Sequence, residues 1–201
     1  MIRVLIAEDQ SMVRGALVAL LRREQDIDIV AEAMRGDEVV PLAVKNLPDI
    51  ALLDIEMPVM TGIDIIPLLR AALPSCKILI LTTFGRPGYL RRALENGASG
   101  FMVKDAPAAQ LATAIRRVIA GERVIDPNLV VSALSEGDNP LTERERDVLR
   151  LVQQGFCNAE IAASLALTEG TVRNYLSTSM QKLGSHTRVG AAILAEQKGW
   201  L

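Results

Sequence analysis

The segment LLDIEMPVMTG, residues 52–62, decides the fold of the first half of the chain. Its first residues continue an apolar run from Ile50, and such a run is typical of a strand that is buried on both faces. The strand should end at Asp54, because Pro58 follows shortly afterwards and proline cannot continue a central strand. An isolated carboxylate at the end of an apolar strand is costly. The position of Asp54 therefore needs an explanation from the rest of the chain.

Four more apolar runs of strand length surround this segment, with helical patterns between them. The five runs are rich in Ile, Val and Leu and comprise Ile2–Asp9, Ile27–Ala33, Ile50–Ile55, Lys77–Phe84 and Gly100–Asp105. The helical patterns cover approximately residues 11–24, 37–46, 64–73, 87–96 and 107–120, with Asp64 as a candidate N-cap. Five strands that are each followed by a helix predict a doubly wound α/β fold with a five-stranded parallel sheet over residues 1–121.

A second region follows, with a different pattern. Residues 122–139 show neither the apolar runs of strands nor the spacing of an amphipathic helix, and they predict a linker. Residues 140–201 contain no strand pattern. Capping residues are spaced for short helices and comprise the capping box of Thr142 and Glu145, then Asn158 and Thr168, with Gly184 as a stop. Four short helices with tight turns predict a small all-α domain that holds a helix-turn-helix.

Length and composition exclude several classes of protein. The chain has 201 residues and a net charge of −2, and no apolar run reaches membrane-spanning length. The N-terminal apolar run is too short for a signal peptide. Cys76 and Cys157 lie far apart without CxxC spacing, which favours free thiols in a reducing, cytoplasmic location without membrane contact. The single histidine, His186, excludes a histidine-cluster metal site and a Ser-His-Asp triad built on any strand.

The carboxyl ends of the predicted strands carry the residues that could perform chemistry, because ligands of open parallel sheets bind beyond these ends. These residues are Glu8 and Asp9 after the first strand, Asp54 after the third, Thr82 and Thr83 after the fourth, and Lys104 after the fifth. Three carboxylates in one pocket repel one another and attract a hard cation, most naturally Mg²⁺. Attack of Asp54 on phosphorus would form an aspartyl phosphate. Mg²⁺ and Lys104 would offset its charge, and the Thr82 hydroxyl would donate a hydrogen bond to it.

Each of these residues also has an ordinary explanation, as a cap, a loop residue or a surface lysine, and only their joint position favours a site. Two other functions use the same residues. One is a phosphatase of the haloacid-dehalogenase type with Asp54 as nucleophile, which resembles a family that needs a second aspartate where this chain has Glu56. The other is a binding module that ignores phosphate, against which the intact set of Asp54, Thr82 and Lys104 argues.

In the C-terminal half, residues 160–165, a turn and residues 169–182 form the predicted helix-turn-helix, with recognition residues expected early in its second helix. The polar face of that helix consists of Glu169, Thr171, Arg173, Asn174 and Ser177, and its buried face of Val172, Leu176 and Met180. Arg pairs naturally with guanine and Asn with adenine. The candidate phosphate contacts are Thr171, Ser177, Lys182 and Arg188. The alternative is a small helical module that binds another protein.

The motifs of both halves resemble those of one family. AED (residues 7–9), LLDIEMPVMTG, LTT (residues 81–83) and GASGFMVKD (residues 97–105) are similar, in kind and order, to the motifs of a two-component receiver domain. LTERERDVLRLVQQG, NAEIAASLALTEGTVRNYL and KLG resemble the LuxR-type helix-turn-helix. The pair resembles the NarL/FixJ family of response regulators over essentially the whole chain. LTTFGRPGYLRRA with EGTVRNYLS looks closest to the DesR-type regulators of membrane-lipid desaturation.

This resemblance implies a transcription factor and not an enzyme. It implies that Asp54 accepts a phosphoryl group from a sensor histidine kinase. It also implies that Glu8, Asp9 and Asp54 serve Mg²⁺, Asp9 directly, and that the backbone carbonyl of Glu56 is a further ligand.

The resemblance also assigns the remaining site residues and partners. Thr82 and Lys104 would bind the phosphoryl group, and Phe101 occupies the aromatic switch position. Double-stranded DNA and RNA polymerase are the implied partners of the helical half. Ser177 stands where many relatives carry a lysine, which puts one phosphate contact in doubt.

The charge of the helical half predicts control by dimerisation. Residues 140–201 contain seven Lys and Arg against six acids, a net charge of +1. Because phosphate neutralisation supplies most non-specific DNA affinity, one such domain should bind weakly, whereas two domains on one site add their free energies. We therefore expect phosphorylation to drive homodimerisation through the first and fifth helices of the receiver. The residues expected at this surface are Val18 and Ala19 alongside Arg14 and Arg22, with Ala108 and Ala112 towards the edge.

Two further expectations concern the surroundings of Lys104 and Thr82. Relatives often carry proline after the lysine, so the Lys104–Asp105 peptide is expected to be cis, at a cost of about 3–4 kcal/mol. Phe84 lies two residues beyond Thr82 and is expected near the mouth of the crevice. An apolar ring there would block a hydrolytic water and slow loss of the phosphoryl group.

Overall fold

The chain forms two compact units in the computed structural model, which describes residues 1–83, 87–105, 108–126, 129 and 139–201. One unit consists mainly of the first 132 residues and the other mainly of residues 133–201. The first is an α/β unit and the second is helical, as predicted. Within the described ranges, no helix has both the length and the apolar character needed to cross a membrane.

The α/β unit alternates strands and helices in the predicted order. Its first five strands are β1 (Ile2–Ala7), β2 (Ile27–Ala33), β3 (Ile50–Asp54), β4 (Lys77–Thr82) and β5 (Gly100–Val103). Its helices are α1 (Ser11–Leu21), α2 (Gly36–Asn46), α3 (Gly62–Ala72), α4 (Pro87–Glu95) and α5 (Ala108–Ile119). The strands β1, β4 and β5 each end two residues earlier than the apolar runs predicted.

The sheet has six strands in the order β2-β1-β3-β4-β5-β6, and every pairing is parallel. The sixth strand, β6 (Val124–Ile125), pairs with β5 through Gly100 and Phe101. The sequence predicted only five strands and assigned this segment to the linker. A strand of two residues is too short to show an alternating pattern, so its existence depends on the edge that β5 offers.

Helices α1 and α5 cover the same face of the sheet. One hydrophobic cluster contains Val18 and Leu21 of α1, Leu111 and Ile115 of α5, and inward-facing residues of β1, β3 and β4. Strand β3 is buried along its whole length, because helices lie on both faces of a parallel sheet. The core therefore holds the strand ends in place, and among them the end that carries Asp54.

Two residues that were expected at the exposed surface of α1 and α5 are buried. Val18 is 8% exposed and Ala112 is 4% exposed, and both belong to the cluster described above. Val18 lies three residues before Leu21, so both side chains occupy the helical face that packs on the sheet. The predicted exposure of Val18 and Ala112 is therefore wrong, whereas Ala19 is exposed as expected. The side chain of Ala108 lies outside the described residues.

Two predicted helix caps are also shifted. Thr61, not Asp64, is the N-cap of α3, and its hydroxyl oxygen accepts the Asp64 N–H at 3.3 Å. Asp64 instead becomes an acidic residue in the first turn, where the helix dipole favours it. Cys157, not Asn158, is the N-cap of the helix that begins at Asn158.

The helical unit contains α6 (Glu143–Gln153), α7 (Asn158–Leu165), α8 (Glu169–Leu183) and α9 (Arg188–Gln197). The capping box before α6 is present: the hydroxyl oxygen of Thr142 accepts the Glu145 N–H at 3.3 Å, and Glu145 accepts the Thr142 N–H at 2.7 Å. Thr168 caps α8 and Gly184 ends it in the left-handed conformation that glycine adopts readily. The core of this unit includes Val148, Leu149, Ile161, Val172, Leu176 and Ala191.

Both cysteines are free thiols, as predicted. Burial raises the pKa of Cys76 to about 12, so this thiol stays protonated and unreactive at neutral pH. Cys157 is exposed at the start of α7.

The burial of Val18 can be tested with a pair of neighbouring variants. Val18→Asp should lower the free energy of unfolding by about 3 kcal/mol or more, because it places a carboxylate in an apolar core. Ala19→Asp, on the exposed side of the same helix, should cost about 1 kcal/mol or less. Urea unfolding of both variants measures the difference. Equal losses in the two variants would show that Val18 is not in the core.

Candidate functional site

The acidic site lies at the carboxyl ends of four neighbouring strands, β1, β3, β4 and β5. Because all pairings are parallel, these ends meet at one edge of the sheet. The register places Asp54 opposite Leu81 and Thr82 opposite Val103, so Asp54, Thr82 and Lys104 follow one another across adjacent strands. The structure thus brings together residues from distant parts of the chain, as the sequence predicted.

Asp54 occupies the centre of this edge and is 4% exposed. The N–H of Ile55 donates a hydrogen bond to its Oδ1 at 2.8 Å, which orients the carboxylate. The start of α3 packs directly behind it: a Cβ at Gly62 would overlap the backbone carbonyl of Asp54. The glycine that closes the segment LLDIEMPVMTG is therefore required by the close approach of helix and strand.

Lys104 joins two of the acids. Its Nζ lies 2.6 Å from Oε2 of Glu8 and 2.9 Å from Oδ2 of Asp54. Its backbone N–H donates to the carbonyl of Thr82 at 2.8 Å, which ties the end of β5 to the end of β4. The peptide between Lys104 and Asp105 is trans, so the prediction of a cis bond is wrong. The ammonium reaches both carboxylates from the trans chain, and nothing then offsets the cost of a cis peptide.

The charges at the site are incompletely balanced. Burial raises the pKa of Asp54, and the contact with Lys104 offsets only part of that shift. Burial also raises the pKa of Glu8, with a further contribution from the charge of Asp54. For Lys104, burial lowers the pKa, but hydrogen bonds to Glu8 and Asp54 outweigh this effect and raise it overall. The site is therefore a place where an additional positive charge would be stabilised.

The donor set fits Mg²⁺. Carboxylate oxygens of Glu8, Asp9 and Asp54 lie within 4.8 Å of one another. No other group of three or more acidic, histidine or cysteine side chains comes this close together in the part of the chain that the structure describes. A cleft of about 190 Å³ opens over Asp9 and Asp54, and Gln10, Glu56, Thr82 and Thr83 complete its lining. All of these donors are oxygens, which Mg²⁺ prefers, and the cleft has room for the waters that Mg²⁺ retains.

The two predicted switch residues are both buried. Thr82 is 3% exposed at the end of β4, and Phe101 is fully buried in β5, where it pairs with Ile80 and Ile125. Phe84 lies outside the described residues, so its predicted position at the crevice stays a prediction.

Arg14 has a different place from the one expected. The sequence assigned it to the exposed face of α1, but its side chain is only 13% exposed and contacts the acidic site. Its NH1 donates to the backbone carbonyl of Glu8 at 2.7 Å, and its Nε lies 3.4 Å from Oε2 of Glu32 on β2. Sequence periodicity does not detect such a contact, because a long side chain reaches across elements.

In the helical unit, the polar face of α8 is presented as predicted. Arg173, Asn174 and Ser177 are exposed, while Val172 and Leu176 on the opposite face are buried and Met180 is partly buried. The remaining two polar residues lie at the helix start. Glu169 is exposed, and Thr171 is partly exposed, with its hydroxyl 2.9 Å from that of Thr168.

Two predicted phosphate contacts have partners within the unit. The Nζ of Lys182 lies 2.7 and 3.0 Å from the carboxylate oxygens of Glu145, which is 3% exposed. This ion pair lowers the pKa of Glu145 despite its burial, and it connects α8 to the start of α6. Arg188 donates to the side-chain oxygen of Asn158 at 3.1 Å, a neutral partner that leaves its charge uncompensated.

A groove beside α8 contains residues that the sequence did not single out. It has a volume of about 610 Å³, and its lining includes Cys157, Asn158 and His186 together with Arg173 and Arg188. In the sequence, Asn158 was distinguished only as a polar residue at the start of a helix, and this position predicted a helix cap and not a contact.

Comparisons with known proteins give a family match for each half of the chain. The chain matches the family model described as response regulator receiver domain over residues 4–116 and that of the bacterial regulatory proteins of the luxR family over residues 139–195. It is 44% identical over 201 residues to the transcriptional regulatory protein YvfU of Bacillus subtilis, with 100% of both chains covered. It is also 44% identical over 200 residues to the transcriptional regulatory protein DesR of the same organism, covering 100% of this chain and 99% of DesR.

A solved structure is similar over the same length. The response regulator ChrA of a heme-sensing two-component system has a TM-score of 0.59 and 32% identity, with 100% of this chain and 98% of ChrA covered. Receiver domains of this family typically bind Mg²⁺ at an acidic site, and the cluster of Glu8, Asp9 and Asp54 has that character. With a receiver domain followed by a LuxR-type helix-turn-helix, the chain belongs to the NarL/FixJ family of two-component response regulators, which bind DNA and regulate transcription.

Proposed function

We propose that Asp54 accepts a phosphoryl group from a sensor histidine kinase, and that this modification controls DNA binding. The observation that carries the proposal is the bridge from Lys104 to Asp54 and Glu8, with Nζ 2.9 and 2.6 Å from their carboxylate oxygens. A cation at this position can neutralise the oxygens of a phosphoryl group that is bound to Asp54.

The transfer forms a bond between a carboxylate oxygen of Asp54 and phosphorus. The N–P bond of the phosphohistidine donor breaks, and its imidazole leaves with the electron pair and takes a proton. Lys104 then faces the phosphoryl oxygens, and the Thr82 hydroxyl donates a hydrogen bond to one of them. When bound, Mg²⁺ supplies positive charge that screens the acids and the transferred group. Asp9, Asp54 and the Glu56 carbonyl would hold it, while Lys104 holds Glu8.

For the phosphatase alternative, the family assignment argues against turnover, since the relatives are transcriptional regulators. Glu56 does line the cleft with Asp54, but a general phosphatase would also have to bind a substrate there. Against the binding-module alternative stands the intact set of Asp54, Thr82 and Lys104 at the ends of adjacent strands.

DNA binding is assigned to the exposed start of α8. Glu169, Thr171, Arg173, Asn174 and Ser177 are the residues proposed to enter the major groove. Arg188 is the stronger candidate for a phosphate contact, because its hydrogen-bond partner Asn158 is neutral. A phosphate contact of Lys182 would have to compete with Glu145.

Dimerisation through α1 and α5 remains part of the proposal, with a corrected surface. Exposed small residues of α1 are Gly15, Ala16 and Ala19, and α5 exposes Ala109 and Thr113. Arg116 of α5 contacts Glu24 at 2.6 Å and Asp26 at 2.7 Å, just beyond α1. These ion pairs connect α5 to the segment that follows α1. The phosphorylated dimer would act in the cytoplasm on double-stranded DNA and RNA polymerase, without membrane contact.

Asp54 should be the only residue that is phosphorylated. Treatment with a small acyl phosphate and Mg²⁺ should add one phosphoryl group to the wild type and none to Asp54→Asn, which keeps the shape of the side chain but lacks the nucleophile. Intact-mass spectrometry measures the adduct. Glu56→Gln is the matched control and should still be modified, because only the backbone of Glu56 takes part. A normal adduct on Asp54→Asn would refute the assignment.

The raised pKa values of Asp54 and Glu8 predict opposite pH effects on metal binding and on stability. Asp54 must be deprotonated to hold Mg²⁺, and a deprotonated Glu8 binds Lys104 and adds negative charge beside the ion. The affinity for Mg²⁺ should therefore fall as the pH is lowered through these pKa values. Without Mg²⁺, the folded state binds these protons more tightly than the unfolded chain. Its free energy of unfolding should therefore decrease as the pH rises through the folded pKa values.

Thermal unfolding in EDTA and in Mg²⁺ tests both effects. Near pH 8, Asp54→Asn should unfold at a higher temperature than the wild type in EDTA, since one uncompensated charge is removed. Mg²⁺ at 100 times its dissociation constant should stabilise the wild type by about 2.7 kcal/mol, and Asp54→Asn by much less. An Asp54→Asn protein that is less stable than wild type in EDTA would contradict this account of the site.

Ala19→Asp tests the dimer surface. The variant should still be phosphorylated on Asp54 but should remain a monomer, because like charges would face each other across the symmetric interface. Its binding to a duplex selected by the phosphorylated wild type should weaken more than tenfold, about 1.4 kcal/mol. Sedimentation and titration at one fixed salt concentration measure both quantities. Arg173→Ala is the control, which should dimerise but lose DNA affinity; a dimer of phosphorylated Ala19→Asp would exclude this surface.

A further inference from the structure

Arg14 is a charged residue at the acidic site that the phosphorylation chemistry does not use. Its side chain is only 13% exposed, although it lies on a surface helix. Its guanidinium contacts two different elements: NH1 donates to the backbone carbonyl of Glu8 at 2.7 Å, and Nε lies 3.4 Å from Glu32. Holding an arginine in this way costs side-chain entropy, which these two contacts offset.

The carbonyl that Arg14 binds belongs to the peptide that connects Glu8 to Asp9. A peptide group is planar, so a hydrogen bond that fixes its oxygen also fixes the orientation of the Asp9 N–H and Cα. The other contacts in this segment concern Glu8 rather than Asp9. The Glu8 N–H donates to the Ala33 carbonyl at 3.0 Å, and the Glu8 side chain is bound by Lys104.

Glu32 fixes the other end of this contact. It lies on β2 opposite Ile6 of β1, so the sheet determines the position of its backbone. Arg14 therefore connects a rigid position of the sheet to the loop after β1. Its planar guanidinium carries N–H donors on separate nitrogen atoms, so it can contact two acceptors that lie apart, whereas a lysine carries all its donors on one nitrogen.

We infer that Arg14 is a positioning residue for the cation site: it fixes the Glu8–Asp9 peptide and thereby directs the Asp9 carboxylate into the cleft. This inference rests on the proposed function, because it takes Asp9 as a Mg²⁺ ligand. Residues that orient a metal ligand through a hydrogen bond, without contacting the metal, commonly strengthen metal binding: their mutation lowers the affinity by about 10–100-fold.

Whether replacing Arg14 weakens or strengthens Mg²⁺ binding distinguishes a positioning role from the effect of its charge alone. Arg14 carries a positive charge close to a cation site, so loss of the charge alone would strengthen Mg²⁺ binding. Loss of the positioning contact would weaken it. Arg14→Gln removes both the charge and the guanidinium, and we expect the dissociation constant for Mg²⁺ to rise about tenfold or more.

The experiment uses the full-length, unphosphorylated protein at fixed pH and ionic strength, with Mg²⁺ titrated by calorimetry. Arg22→Gln is the matched control, since it removes the same charge from the exposed residue that follows α1; its affinity should equal that of the wild type. Arg14→Lys keeps the charge but has all its donors on one nitrogen, and its dissociation constant should lie between those of wild type and Arg14→Gln. If Arg14→Gln does not fold, Arg14→Lys decides the question by the same measurement.

A second measurement distinguishes positioning from a merely structural role. The rate of Asp54 phosphorylation by a small acyl phosphate, followed against Mg²⁺ concentration, should show a higher half-saturating concentration in Arg14→Gln with the same rate at saturation. A structural role would instead lower the saturated rate and the unfolding temperature in EDTA, without changing the half-saturating concentration. Equal or tighter Mg²⁺ binding by Arg14→Gln would overturn the inference. A wild type that binds no Mg²⁺ and takes no phosphoryl group would instead overturn the proposed function.

Discussion

The ion pairs of Lys104 are the interaction on which the acidic site depends. One ammonium stands between Glu8 and Asp54 at 2.6 and 2.9 Å, and it permits three acids to share the end of an apolar sheet. Without it, two carboxylates that are almost fully buried would face each other, and protonation would be their main route to stability. The lysine does not complete the balance, because the pKa values of both acids remain raised. Because of this remaining imbalance, an additional positive charge would be stabilised at the site.

The parallel sheet is what makes this concentration of charge possible. Each strand delivers its last residue to the same edge, and the register of β3, β4 and β5 aligns Asp54, Thr82 and Lys104 across that edge. The apolar cluster below holds the strands in register, while α1 and α5 cover one face. The helix that carries Arg14 therefore has one side on the core, one end at the acidic site and one exposed surface of small residues.

The helical unit has little positive charge that is available to contact DNA. Its net charge is +1, and Lys182 is engaged with the buried Glu145. This pair connects α6 to α8 and therefore supports the helix-turn-helix itself, because breaking it would leave a carboxylate buried without a partner. With few uncommitted cations, a single unit has little electrostatic affinity for a phosphate backbone. Two such units on one DNA site would add their binding free energies, which is the physical basis of the proposed control by dimerisation.

The sequence alone determined the order of strands and helices, the parallel sheet and the location of Asp54, Thr82 and Lys104 at strand ends. These features depend on apolar runs and helical periods, which are local. Only the tertiary structure decided which side of α1 faces the sheet, and it buried Val18 where exposure was expected. The pairing of β6 with β5 and the trans Lys104–Asp105 peptide are also visible only in the structure. The same holds for the contacts of Arg14 and Lys182 with residues of other elements. Such features depend on where a second element lies within reach, and a local pattern carries no information about that distance.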